Sequence, residues 1–312
     1  MSHKVIAVTP AGRRAYLDLL KNYILKDSSI DEWHLWDNCR DPDDRAYLAE
    51  LERDHAKIRI VRVPSADGTN RSVNRFYRFC DDENAFYIKM DDDLVLLPEG
   101  LGRRMYDVAI TERGTHLWWS PVVVNNAICS WVLQHFGLFR FNIDLTAQAS
   151  SFAAWRSPYF AAALHRAYLD AIEGDRNLFE ARLADVPNLS VSLSRFSINC
   201  IGFFGSDVAA LGPLFCPPDI DDEEWLSAVL PAKIGRPGRV IGGLAVAHFS
   251  FFTQEAELVR TDILERYYRI AQVEMRYRPQ VKPARLMGVP RRLRLAWAHR
   301  YEPSSYEVSF DA

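Results

Sequence analysis

The chain has 312 residues, of which 48% are hydrophobic and 25% charged, with a net charge of −3. That is the composition of a soluble globular protein with room for one large α/β domain or two modest ones, and it excludes disordered and fibrous classes. Balanced charge excludes a general electrostatic pull toward nucleic acid, so no nucleic-acid partner is expected. The five cysteines, Cys39, Cys80, Cys129, Cys200 and Cys216, are scattered without ligand-like spacing. They support neither a zinc site nor a disulfide framework. The apolar stretch after Met1 is too short for a signal peptide, and no run reaches the roughly eighteen apolar residues of a membrane span. The expectation is a reduced, cytoplasmic protein.

In chain order, residues 5–8 read as a strand closed by Thr9, Pro10 and Gly12. Residues 13–26 carry helical spacing at Tyr16, Leu19, Leu20, Tyr23 and Ile24. A second strand over 32–36 ends in Asp37 and Asn38, and a turn over 41–44 leads to a helix over 45–56. A third strand spans 58–63, a helix 72–80, and a fourth strand 85–90. This alternation predicts an α/β fold with a mostly parallel central sheet flanked by helices. Ligands bind such sheets beyond the carboxyl ends of the strands. Thr9, Asp37, Asn38 and Asp91 to Asp93 all fall at those ends.

The fourth strand is the most informative segment: Phe86-Tyr-Ile-Lys-Met followed by Asp91, Asp92 and Asp93, then a second apolar run to Pro98. Three adjacent carboxylates repel one another unless a cation sits among them. Hard oxygen ligands at such a point suit Mg²⁺ or Mn²⁺. A solvated acidic loop is the plainer alternative, but these acids interrupt apolar sequence instead of extending a polar one.

Beyond Pro98, a helix over 100–111 and a strand over 115–124 are expected. Residues 125–195, with aromatic clusters and a helix over 158–173, read as an insertion shaping the acceptor side of a pocket. A strand over 196–204, a short helix over 207–211 and an acid-tipped loop over 216–222 lead to a helix over 223–230. An apolar stretch over 240–252 contains His248, and 255–276 reads as one amphipathic helix. The division predicted is a main domain over 1–255 and a C-terminal helix with a basic tail over 256–312. The tail carries Lys282, Arg285, Arg291, Arg292, Arg294 and Arg300 around Leu293, Leu295 and Trp297. It suits either peripheral contact with an anionic membrane or packing as a helix.

Read together, the N-terminal strand–turn–helix, the Asp91-Asp92-Asp93 strand end, the acids from Asp221 to Glu224 and the late His248 resemble GT-A glycosyltransferases of the broad family-2-like group. The resemblance runs in order over residues 4–255 and is carried by short motifs. It implies a metal-dependent transfer of a sugar from a nucleotide-diphosphate donor (a UDP- or GDP-sugar) to a hydroxyl acceptor, a glycan or polysaccharide, with inversion. It implies that Asp93, with Asp91 and His248, holds Mn²⁺ or Mg²⁺, and that Asp91 and Asp92 lie against the donor. Thr9, Pro10, Arg13, Asp37, Asn38 and Arg71 would line the nucleotide. Asp222 or Glu223 would be the general base, although acids also favour the first turn of any helix because of its dipole. Trp118, Trp119, Asn125, Asn126 and Trp225 are candidates for acceptor contacts, with burial in the core as the alternative for the first two. Two other readings stay open: a nucleotidyltransferase making sugar nucleotides, against which the glycine-poor first loop speaks, and a non-catalytic scaffold binding nucleotide or glycan.

Overall fold

The computed structural model describes residues 3–192, 194–218, 220–275 and 305–311. Its central sheet contains β1 (Lys4–Ala11), β2 (Glu32–Asp37), β3 (Ile58–Val61), β4 (Ala85–Met90), β5 (Leu94–Leu96), β6 (Trp118–Val124), β8 (Leu189–Val191), β9 (Cys200–Phe204) and β10 (Gly238–His248). A separate two-stranded ribbon joins β7 (Phe139–Phe141) to β11 (Val308–Phe310). The sheet order is β3-β2-β1-β4-β9-β6-β10-β5, with β8 added on β10. Strands β1 to β4 pair in parallel, as do β6 and β10, while β9, β5 and β8 run against their neighbours. Six strands therefore point the same way in a mixed sheet flanked by helices.

Strands β4 and β6 are buried at every position, as expected of strands covered on both faces. Trp118 and Trp119 belong to this core, at 1% and 0% exposure. The Trp118 Nε1 donates to Leu226 O at 2.8 Å, and the ring stacks on Phe196. Their side chains are structural, and acceptor contact is ruled out by burial.

Several boundaries differ from those expected. The second helix begins at Pro42, not after the acidic turn, because Asp41 caps it and accepts from Asp43 N at 2.8 Å. The helix starting at Pro158 continues to Ala184 across a kink at Asp175, whose carboxylate accepts from Leu178 N and restarts it. The single amphipathic helix expected over 255–276 is two, Glu255–Leu258 and Ile263–Met275. Thr261 Oγ1 accepts from Ile263 N at the start of the second. That second helix is held to the helix Pro158–Ala184 and to the first helix, Arg14–Lys26. Tyr267 bonds His165 at 2.8 Å and Tyr268 donates to Ala15 O at 2.7 Å.

The feature that most directly builds the site is β5. The short strand after the three aspartates pairs antiparallel with the end of β10, setting Leu94 opposite His248. A hairpin-like return so soon after β4 is too short to show a periodicity, and together with the Phe249 N to Asp93 O bond it brings Asp93 to His248. The basic tail lies outside the described residues. No described helix is long and apolar enough to cross a membrane.

Candidate active site

The like-directed strands β1, β2, β4, β6 and β10 end along one edge of the molecule, and a cleft of about 810 Å³ opens there. Its lining draws on the loops after β1 and β2, residues 68–73, the three aspartates, residues 195–199, residues 220–223 and the segment after His248. Nine carboxylates line it against five lysines and arginines. A cleft with that excess of acid repels a phosphate ester unless positive charge is added.

Asp91, Asp93 and His248 offer ligand atoms that all lie within 4.8 Å of one another. Two carboxylates and an imidazole are a donor set that Mn²⁺ or Mg²⁺ accepts. Asp93 is 1% exposed, and its Oδ1 accepts no hydrogen bond from any described residue. His248 Nε2 stands 3.4 Å from that oxygen. A buried carboxylate oxygen without a donor is costly, so the residues fit a cation placed among them.

The surrounding charges are arranged unequally. Arg13 reaches across from the β1 loop, with Nε 3.0 Å from Asp92 Oδ1 and Nη2 3.0 Å from Asp93 Oδ2. Gly12 N also donates to Asp92. Asp92 is thus taken up in closing the β1 loop onto β4, and burial pushes its carboxyl up to about 6 despite Arg13. For Asp93, burial pushes the same way but the charges of Arg13 and His248 win, and its carboxyl lies below the usual range. Burial would lower His248, and Asp93 beside it raises it instead. Lys89, only 4% exposed near the end of β4, donates to Asp91 Oδ1 and to Ile198 O. Asn199 donates to the other Asp91 oxygen at 3.0 Å.

Asn125 supports this cluster from beneath. It is the sole non-glycine residue with positive φ among those described, at 64°, and it is fully buried. Its carbonyl faces His248 Nδ1 at 3.3 Å, and its side chain donates to Phe249 O and Gln254 Oε1. A proton on Nδ1 toward that carbonyl leaves the Nε2 lone pair aimed at the cluster. Strain of this kind persists where surrounding bonds over-determine it. Asn125→Ala is expected to cost about 1–3 kcal/mol of stability and to weaken Mn²⁺ binding roughly 10–100-fold. Denaturant titration and metal titration check the two effects. Asn125→Gly, which tolerates the φ, should keep more of the stability.

The second acidic group lies at residues 221–224. Asp221 caps the turn Asp222–Glu224 by accepting from Glu224 N at 3.0 Å. Arg195 binds Glu223 Oε1 at 2.6 Å and Asp221 Oδ2 at 2.8 Å. Among the described residues, Asp222 takes a 3.3 Å hydrogen bond from the buried Tyr77 hydroxyl and a local bond from Glu223 N. Burial raises the pKa of both Asp222 and Glu223, with Lys89 and Tyr77 opposing the rise at Asp222 and Arg195 opposing it at Glu223. A carboxylate with a raised pKa and few competing donors is a competent proton acceptor.

The structure distributes the residues expected from sequence as follows. Pro10, Arg13, Asn38, Arg71, Asp91, Asp92, Asp93, Asp222, Glu223 and His248 all line the cleft. Thr9 does not: it is fully buried and its hydroxyl accepts from Trp33 Nε1 at 3.0 Å. Asp37 is drawn away by Arg45 and Arg62. Asn38 sits on the cleft wall with its carbonyl accepting from Ser72 Oγ at 2.6 Å. Asn126 caps the helix Ala127–His135, and Trp225 Nε1 is bonded to Leu214 O and Phe215 O. Lys89, Arg195, Asn199, Glu255, Trp155 and Phe252 line the cleft and were not singled out from sequence. A lone lysine inside the apolar strand β4 was the one local signal, since a buried ammonium needs a carboxylate partner.

No protein-family model and no curated protein matches this chain. Among solved structures, it is similar to the mannosyltransferase PcManGT from Pyrobaculum calidifontis in complex with GDP-Man and Mn²⁺, at 12% identity and a TM-score of 0.45, over 87% of this chain and 64% of that one. It is similar to 4-diphosphocytidyl-2C-methyl-D-erythritol synthase from Anaerococcus prevotii at 13% identity and a TM-score of 0.43, over 86% and 96%. GalNAc-T7 with UDP, GalNAc and Mn²⁺ gives 11% identity and a TM-score of 0.45, over 87% and 48%. The chain spans less than two thirds of the length of the mannosyltransferase and of GalNAc-T7. At similarities this low, what the cleft can do is decided by its own residues.

Proposed function

We propose that this chain is a metal-dependent glycosyltransferase of GT-A type that moves a sugar from a nucleotide-diphosphate donor to a hydroxyl acceptor with inversion. The observation that carries the reading is the joining of two acidic groups in one cleft. One is cation-capable (Asp91, Asp93 and His248), and the other is a raised-pKa carboxylate pair (Asp222 and Glu223). Lys89 lies between them, bonded to Asp91 and electrostatically favouring ionised Asp222.

Asp93, Asp91 and His248 would hold the cation. A divalent ion bound there supplies the positive charge that a leaving diphosphate needs. Arg13 closes the β1 loop over Asp92 and Asp93, and Asn38 and Arg71, which line the cleft, would contact the nucleotide. The acceptor oxygen forms the new bond to the anomeric carbon as the bond to the diphosphate oxygen breaks, and Asp222 takes the acceptor's proton. Asp222 suits the role better than Glu223, whose carboxylate is already occupied by Arg195 at 2.6 Å.

The base must be ionised to work, so the rate falls as pH drops through the raised Asp222 pKa. Tyr77→Phe removes a hydrogen bond that lowers that pKa, so the acid limb of the pH–rate profile is expected to move to higher pH. An unmoved limb would place the titrating group elsewhere.

The test of the proposal is to incubate the protein with Mn²⁺ and a panel of UDP- and GDP-sugars and to follow release of the nucleoside diphosphate with and without glycan acceptors. Acceptor-stimulated release supports it. Pyrophosphate release from a nucleoside triphosphate would point to nucleotidyl transfer instead. A cytoplasmic site of action belongs to the same proposal.

A further inference from the structure

Two segments far apart in sequence meet at the rim of the cleft beside His248. One is the short turn Phe152–Arg156 and the other is the chain that leaves β10 after His248. They are tied by Thr253 Oγ1, which donates to Trp155 O at 2.7 Å, and by the fully buried Gln254. Gln254 Oε1 accepts from Phe251 N and from Asn125. The rim is therefore anchored to the same support as His248.

On this rim, Phe252 is left 71% exposed. Its ring meets that of Trp155 edge-on, with centroids 5.7 Å apart and an angle of 80°. Both line the cleft. An exposed phenylalanine here contributes nothing to the core. Two residues earlier, Ser250 is 4% exposed and lines the same cleft, yet its hydroxyl has no hydrogen-bond partner among the described residues. A nearly buried hydroxyl without a partner is costly unless a ligand supplies one.

We propose that Trp155, Phe252 and Ser250 form a sugar-ring subsite, the two aromatic rings taking the C–H face of a pyranose and Ser250 bonding one of its hydroxyls. Two rings at 80° make a corner, which fits a puckered ring better than a flat base, since a base is held between parallel walls. A pyranose combines an apolar face with a hydroxyl edge, matching aromatic surface beside an unmet hydroxyl. The subsite rests on the glycosyltransferase reading and narrows it to a ring-shaped sugar at this corner, carried by either the donor or the acceptor.

The test uses the full chain with Mn²⁺ and compares wild type with Phe252→Ala, Trp155→Ala and Ser250→Ala. Binding of the methyl glycosides of glucose, galactose, mannose and N-acetylglucosamine is read by saturation-transfer NMR. The melting shift given by UDP-glucose and GDP-mannose is read against that given by UDP and GDP. The expected result is a roughly five- to tenfold loss of affinity in the aromatic variants, with the response to plain UDP or GDP unchanged. A loss in the glycoside series assigns the corner to the acceptor. A loss only in the extra stabilisation by nucleotide sugar assigns it to the donor. Wild-type behaviour of Phe252→Ala and Ser250→Ala in both series would overturn the subsite, as would absence of sugar binding by the wild type in both. The glycoside series needs no nucleotide, so a wild type blind to UDP and GDP counts against the glycosyltransferase reading and not against the corner.

Discussion

Asp93→Asn is expected to lower sugar transfer by about a thousandfold or more, the scale on which transition-state charge stabilisation acts. Two properties single this residue out among the three aspartates. Its Oδ1 is buried without a hydrogen-bond donor among the described residues, and it faces His248 across 3.4 Å. Asp92, by contrast, is engaged by Arg13 and Gly12, so Asp92→Asn should loosen the β1 loop and raise KM more than it lowers kcat. The asparagine variant at 93 keeps shape and volume, but it leaves Arg13 and His248 with one fewer negative charge. Circular dichroism and a melt should show a folded protein with modest loss of stability, while Mn²⁺ no longer adds to nucleotide binding. A variant with full activity would remove Asp93 from any cation site.

Asp222→Asn is expected to reduce kcat by roughly 10²–10⁴ with little change in donor affinity, the range a positioned general base contributes. Glu223→Gln should cost less, and part of its effect should come through Arg195, whose 2.6 Å partner would keep an acceptor oxygen but lose its charge, leaving Asp221 and the longer Glu224 contact as its ion pairs. Steady-state kinetics of the two variants beside each other decide the assignment. If Glu223→Gln proves the more damaging in kcat, the base is Glu223 and Arg195 is there to hold it. Neither substitution touches the core, since both carboxylates sit on the cleft wall.

How far the site was legible in the sequence follows from what kind of contact each residue makes. The aspartates and His248 sit at the ends of apolar strands, and a strand end is a local feature that a run of hydrophobic residues marks. Thr9 and Asp37 sit at strand ends too, but both faces of the sheet are covered there. In β1 every position from Val5 to Thr9 is buried, so alternation does not tell which side chain turns toward the cleft. Thr9 turned inward to Trp33, and Asp37 found Arg45. Trp118 and Trp119 could be assigned to core or to cleft only by knowing what packs on β6. Asn125, Arg195, Trp155 and Phe252 reach the site through contacts across the insertion and the β10 exit, between residues dozens of positions apart. No spacing rule within one segment encodes such contacts. The break of the C-terminal helix at Thr261 and the early start at Pro42 are capping effects, readable in principle from Asp-Pro and Thr-Asp.

The most direct test of the account is the melting temperature of the wild-type protein with UDP and with GDP, each with and without Mn²⁺, repeated on Asp93→Asn. A ligand at a hundred times its Kd adds about 2.7 kcal/mol, which a melt resolves. The account predicts that one nucleotide stabilises the wild type only when Mn²⁺ is present, and that Asp93→Asn abolishes the shift. Stabilisation that is equal without metal, or equal in the variant, would contradict it.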